Sequence, residues 1–122
     1  MLSFHTIAAL VFHVNDFVNA TIAVLKGGPL DASDQLSFNC PPISSEGDWK
    51  ALLQKTRTDA EELANLIEQM PEEQLAELFG DGKFGTSYRC LRGPIEHCHY
   101  HLGQIAVINT VLKSRGEFAT VD

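Results

Sequence analysis

Apolar residues recur at Ile7, Leu10, Val11, Val14, Phe17, Val18, Ile22 and Leu25. Spacings of three and four predict a helix over about residues 3–26, and Gly27-Gly28-Pro29 stops it. A second stripe runs through Trp49, Leu52, Leu53, Thr56, Ala60, Leu63, Ala64, Ile67 and Met70, predicting a helix over about 46–70. Ser45-Glu46-Gly47-Asp48 resembles a capping box at its start. Lys50, Lys55, Arg57, Asp59, Glu61, Glu62 and Glu68 fall between the apolar positions and form a solvated face. Pro71 ends this helix and opens a short acidic one over 71–79, closed by Gly80-Asp81-Gly82. Gly93-Pro94 is expected to open the last helix, over about 94–114, because a first-turn proline loses no hydrogen bond. That helix carries Ile105, Ile108, Val111 and Leu112 and stops near Ser114-Arg115-Gly116.

The intervening segments lack a sustained period. Leu30 to Ser44 reads as a long irregular crossing loop, extended around Ser37-Phe38-Asn39-Cys40-Pro41-Pro42, since a residue before proline avoids the helical region. Lys83 to Arg92 reads as a second irregular or extended connector, and Glu117 to Asp122 as a loose tail. With no internal repeat and no convincing strand, residues 1–122 make one all-α domain of three long helices and one short one.

Composition narrows the function classes. The 122 residues are 44% apolar and 20% charged, enough for a single core and too apolar for a disordered acidic tail. A formal charge of −7, with no basic stripe, argues against nucleic acid as a partner. There is no basic amphipathic helix for a membrane surface and no uninterrupted apolar run near 18 residues to span one. The first residues carry no positive charge ahead of the apolar run, so no signal peptide is expected. Cys40, Cys90 and Cys98 are odd in number and lack CxxC spacing, which suits a reducing cytoplasm and three buried or half-buried thiols.

The candidate chemistry is imidazole. His97, His99 and His101 fall within five residues of the last helix. His97 and His101, four apart, share a face with Gln104 and Ile108, whereas His99 points elsewhere. Two imidazoles one turn apart can converge on one divalent ion at about 2.0–2.1 Å. They can equally be hydrogen-bonded histidines on a packing face. His13 borders the apolar stripe of the first helix and could reach across to complete a three-nitrogen site with an open position. His5 lies near a fraying end.

Ile95-Glu96-His97-Cys98-His99-Tyr100-His101-Leu102-Gly103-Gln104-Ile105 resembles the HxxxHxGQI signature of the DinB/YfiT-like superfamily of metal-binding helical bundles. Ile7-Ala8-Ala9-Leu10-Val11-Phe12-His13-Val14 resembles the segment bearing that superfamily's first histidine ligand. The resemblance implies an up-and-down bundle and a divalent metal held by His13, His97 and His101, with water at a remaining position. Zinc is favoured by imidazole ligation, with nickel and iron as alternatives. It leaves one helix of four missing ahead of His13; a homodimer partner is expected to fill that place, the alternative being a truncated, partly degraded site.

Similar proteins include metal-dependent thiol S-transferases and a thiol-dependent isomerase. The resemblance therefore implies transfer to, or hydrolysis of, small electrophiles with a low-molecular-weight thiol cosubstrate. Gln104 would then donate to metal-bound water or a ligand carbonyl, or serve only in packing, and Tyr88, Arg89 and Arg92 would either meet an anionic group or simply be exposed loop and helix-start residues. The alternative is a non-catalytic metal-binding or stress-related helical protein. Ligand histidines must be neutral, so metal affinity is expected to fall below roughly pH 6.

Overall fold

The computed structural model describes residues 4–29 and 40–116, with the side chains of the first helix described from Ile7 onward. Three long helices dominate: α1 (Phe4–Leu25), α2 (Glu46–Glu68) and α3 (Ser87–Ser114). The short acidic helix expected over 71–79 is instead one 3₁₀ segment, Glu72–Ala76. Among the described residues the sole β feature is an isolated antiparallel bridge between Leu78 and Thr86. Part of the expected crossing loop (residues 30–39), the tail 117–122 and the side chain of His5 lie outside the described residues.

Local chemistry accounts for the helix starts. Ser45 caps α2, its hydroxyl accepting from the Asp48 N–H at 3.0 Å. Asp48 returns the contact one residue earlier than a capping box requires, accepting from the backbone N–H and the hydroxyl of Ser44. Those bonds, the Ser44 backbone N–H foremost, hold its carboxyl below the ordinary range.

The start of α3 corrects the sequence reading. The helix begins at Ser87, seven residues before Pro94, which therefore lies inside it. Thr86 is the N-cap, its hydroxyl accepting from the Arg89 N–H at 3.3 Å. A tight reversal over Glu77–Thr86 delivers Thr86 to that position, through bonds from Phe79 N–H to Gly85 C=O and from Ser87 N–H to Glu77 C=O. Gly82 sits in this reversal at φ +81°, where an added Cβ would come within 2.9 Å of Leu78 Cδ1. Anchored by buried Phe79, Ser87 and Leu91, this cap starts the helix before proline can.

α1 is the central element. Asn15 meets Asp59 and Lys55 on α2, Lys26 pairs with Glu62, and Trp49 clusters with Ile7, Ala8 and Leu10. These pairings advance together along both helices, so α1 and α2 run in the same direction. Against α3, by contrast, His13 meets His97 and His101 while Ile7 clusters with Ile108 and Leu112, so that pair is antiparallel. The order is up, up, down, not the up-and-down alternation expected. The physical reason is the long connection before Ser45, which can carry the chain back along the bundle before α2 starts.

No Cα of α2 approaches a Cα of α3 within 8 Å, so α1 alone separates and joins them. A helix flanked on both sides must be apolar on both sides. Ile7–Leu25 is indeed long and apolar enough to cross a membrane by length and composition, the one such helix among the described residues. Here that apolarity is partly spent on two packing faces: Ile7, Ala8, Leu10, Val18, Ile22 and Val24 are all buried. The core comprises Ile7, Ala8, Leu10, Trp49, Ile108 and Leu112, with Val11, Ile43, Leu52, Leu53 and Ile105 packed around it.

Candidate metal centre

Three histidines meet where α1 crosses α3. His13 comes from the middle of α1, and His97 and His101 from successive turns of α3. Their candidate ligand nitrogens all lie within 4.8 Å of one another. His97 Nε2 is 3.1 Å from His13 Nε2 and 2.8 Å from His101 Nε2. The three rings stand nearly perpendicular to one another, at 72° to 87°, so their edges and not their faces converge. His13 and His101 are buried, at 3% and 6% exposure, and His97 is half-buried.

Proton counting constrains what this cluster can be. A ring nitrogen carries either one proton or one lone pair. His97 Nε2 therefore cannot make two full hydrogen bonds, one to His13 and one to His101. Between neutral rings, one of the two close contacts must oppose like groups, lone pair to lone pair or N–H to N–H, or else one proton or one lone pair must be shared between two partners. A cation at the convergence point accepts a lone pair from each ring. The two separations from His97, 3.1 and 2.8 Å, lie near the roughly 3.3 Å expected between ligands of a tetrahedral ion with bonds of about 2.0–2.1 Å. On this test the residues fit a divalent ion.

Neighbouring groups orient the rings. His101 Nδ1 lies 2.5 Å from Gln104 Oε1, three residues on. With the amide oxygen as acceptor, Nδ1 carries the proton and Nε2 presents its lone pair to the cluster. Gln104 thus acts on a ring, where the sequence pointed to metal-bound water or a ligand carbonyl. Phe17, one turn beyond His13, packs its ring 4.5 Å from His97 and 5.1 Å from His13, centroid to centroid. Its position at i+4 from His13 was the available signal for this wall, which the sequence reading passed over. Tyr100 stands edge-on to His101 at 5.1 Å.

The other named residues lie apart. Tyr88 and Arg89 are exposed in the first turn of α3, nine and eight residues before His97, which is about 12–14 Å along the axis. Arg92 is also exposed, bonded to Glu96 at 3.0 Å with its guanidinium 6.0 Å from the Tyr88 ring centroid. His99 is exposed and outside the cluster. Cys40, Cys90 and Cys98 are free and half-buried, and burial pushes all three thiols up. That disfavours the thiolate a nucleophile requires.

No family model, no curated protein and no solved structure matches this chain.

Proposed function

We propose that the chain is a divalent-metal-binding protein whose ion is held by His13, His97 and His101. One observation carries this reading: His97 Nε2 lies within hydrogen-bonding distance of two other ring nitrogens and can serve only one of them as a full hydrogen bond. Gln104 fixes the tautomer of His101, and the apolar wall of Phe17 lowers the local dielectric around the rings. Zinc is the ion best suited to three imidazoles, with nickel and iron next.

The resemblance of the His97–Ile105 segment to the DinB/YfiT-like signature extends the proposal to chemistry. On that reading the protein is a metal-dependent thiol S-transferase or hydrolase for small electrophiles. A bound ion of this kind lowers the pKa of water or a thiol and supplies a nucleophile at neutral pH. The chain's own contribution would be three neutral ring nitrogens, from His13, His97 and His101, as ligands. No carboxylate joins the described cluster as a base, and Tyr88 and Arg89 are too far along α3 to touch a group at the rings without folding back.

A second reading, a metal-binding protein without catalysis, is favoured by a specific observation. The grooves at Ile43–Trp49 and between Val11 and Leu102 are lined by none of the three histidines. Metal content of protein purified without a histidine tag tests the shared core of both readings. One ion per chain, lost in His101→Ala, is expected; no uptake after incubation with zinc or nickel refutes both. Consumption of a free thiol with a chlorinated or epoxide substrate by the metal-loaded protein then separates them.

A further inference from the structure

The middle of α3 is fastened to the fold mainly by imidazole, although both of its ends are anchored by apolar packing. At its start, the reversal with buried Phe79 lies against the last turn of α1, where a Cβ added at Gly80 would meet Val24 Cγ1 at 3.5 Å. At its end, Ile108 and Leu112 join Ile7, Ala8, Leu10 and Trp49 in the core. Between Leu91 and Ile108 the one fully buried side chain of α3 is His101. The large apolar side chains of residues 93–104 contribute little to the core, since Ile95, Tyr100 and Leu102 are 57%, 65% and 61% exposed.

What this stretch presents to α1 is therefore His97 and His101, which meet His13, with Phe17 against the His97 ring. Toward α2 it faces a groove bordered by Cys98, Leu102 and Thr56, because no Cα of α2 comes within 8 Å of α3. Pro94 weakens the same stretch from within, having no N–H to bond the Cys90 carbonyl. A segment with few buried apolar contacts opens at a lower free energy than the core around it. Here the polar fastening is also the one that needs an ion, since His97 Nε2 cannot satisfy both neighbouring rings by hydrogen bonds.

We propose that His13, His97 and His101 form a metal-dependent clasp, which rests on the triad being a metal site. When the three rings share an ion, residues 93–104 are docked on α1. Without it, that stretch opens locally while the Phe79 reversal and the Ile108–Leu112 end stay anchored. Opening separates His13 from the two α3 ligands, so it must release the ion, and a ligand bound only by the closed form suppresses the open one by mass action. Metal occupancy thereby becomes a difference in the order of one stretch of surface helix, the form in which a binding event becomes a conformational one.

Residue-resolved hydrogen exchange on the full chain, metal-free and across a zinc titration, tests the clasp, with zinc binding measured on the same samples by chelator competition. In the metal-free chain, amides of residues 97–104 are expected to exchange faster than those of residues 108–112. At about 100 times the zinc Kd their exchange is expected to slow by about 100-fold, and to keep slowing as free zinc rises. Metal-free exchange equal to that of residues 108–112 overturns the proposal, because the stretch then opens only with the whole fold. Bound zinc with unchanged exchange overturns the clasp alone, whereas no zinc uptake overturns the metal site and the clasp with it. His13→Ala separates docking from an ion held within α3 by His97 and His101. In that variant zinc is expected to leave residues 97–104 exchanging fast, and undiminished slowing overturns the clasp by showing that the ion stiffens α3 by itself. If His13→Ala loses helicity by circular dichroism, the wild-type titration decides alone.

Discussion

Gln104 holds His101 by its Nδ1 at 2.5 Å, and so aims the opposite ring nitrogen at His97, 2.8 Å away. A side chain on the exposed rim thereby sets the tautomer of a buried ring. Gln104→Ala is expected to weaken zinc binding by about 10–100-fold, the usual effect of removing a group that orients a ligand histidine. Competition with a chromophoric chelator measures it. An unchanged affinity with intact helicity would show that the contact does not orient the ring.

The triad itself is expected to couple metal binding to stability. An ion that binds only the folded chain stabilises it by roughly 2.7 kcal/mol at a free concentration 100 times its Kd. For a domain of this size that is roughly 8–15 °C in Tm. Thermal melts with and without zinc should show the shift in wild type and its loss in His97→Ala. A shift of equal size in His97→Ala would place the ion elsewhere.

Asn15 and Asp59 join α1 to α2 with charge assistance. Asn15, at 2% exposure, donates to Asp59 at 2.9 Å and accepts from Lys55 and Asn19. Desolvation alone would raise the Asp59 carboxyl, but hydrogen bonds from Lys55 and Asn15 outweigh it and hold it below the ordinary range. With the folded value depressed, the unfolded chain binds more protons between the two values, so stability rises with pH there. The contribution is complete above the unfolded value of about 3.9 and disappears as pH falls through the lower folded value. Acid titration of denaturant stability should therefore be shallower in Asp59→Asn over that window. Asp59→Ala, which leaves a buried amide donor without this acceptor, is expected to cost about 1–3 kcal/mol at neutral pH.

The start of α3 gives opposite expectations for two neighbouring substitutions. Thr86→Ala removes the cap and should destabilise by about 1 kcal/mol. Pro94→Ala restores an interior N–H that can reach the Cys90 carbonyl four residues back, and should stabilise by about 1–3 kcal/mol. Urea unfolding of both variants checks the pair. A destabilised Pro94→Ala would mean that proline is held there for its packing.

Pro94 also shows where local reading fails. Gly93-Pro94 carries a strong start signal, and only the reversal over Glu77–Thr86 brings Thr86 round to cap a longer helix. That reversal depends on bonds between residues six and ten apart and on Phe79 being buried. Gln104 was legible as a polar group beside the histidines, but not which atom it would bond. Phe17 looked like core and stands against the rings.

What the sequence by itself determined are the properties that live within a turn or two of chain. The apolar periods of α1 and α2, the Ser45 cap, the Gly27-Gly28 stop and the shared face of His97 and His101 all follow from spacing along one backbone. The tertiary structure alone decided which helices are neighbours and in which direction they run. His13 meets His97 across 84 residues of sequence, and nothing in either helix's own period specifies that encounter. It arises because α1, apolar on both sides, is buried between two helices that do not approach each other. Helix formation is local hydrogen bonding, whereas helix pairing is the burial of whole faces, and the candidate metal centre exists only at that second level.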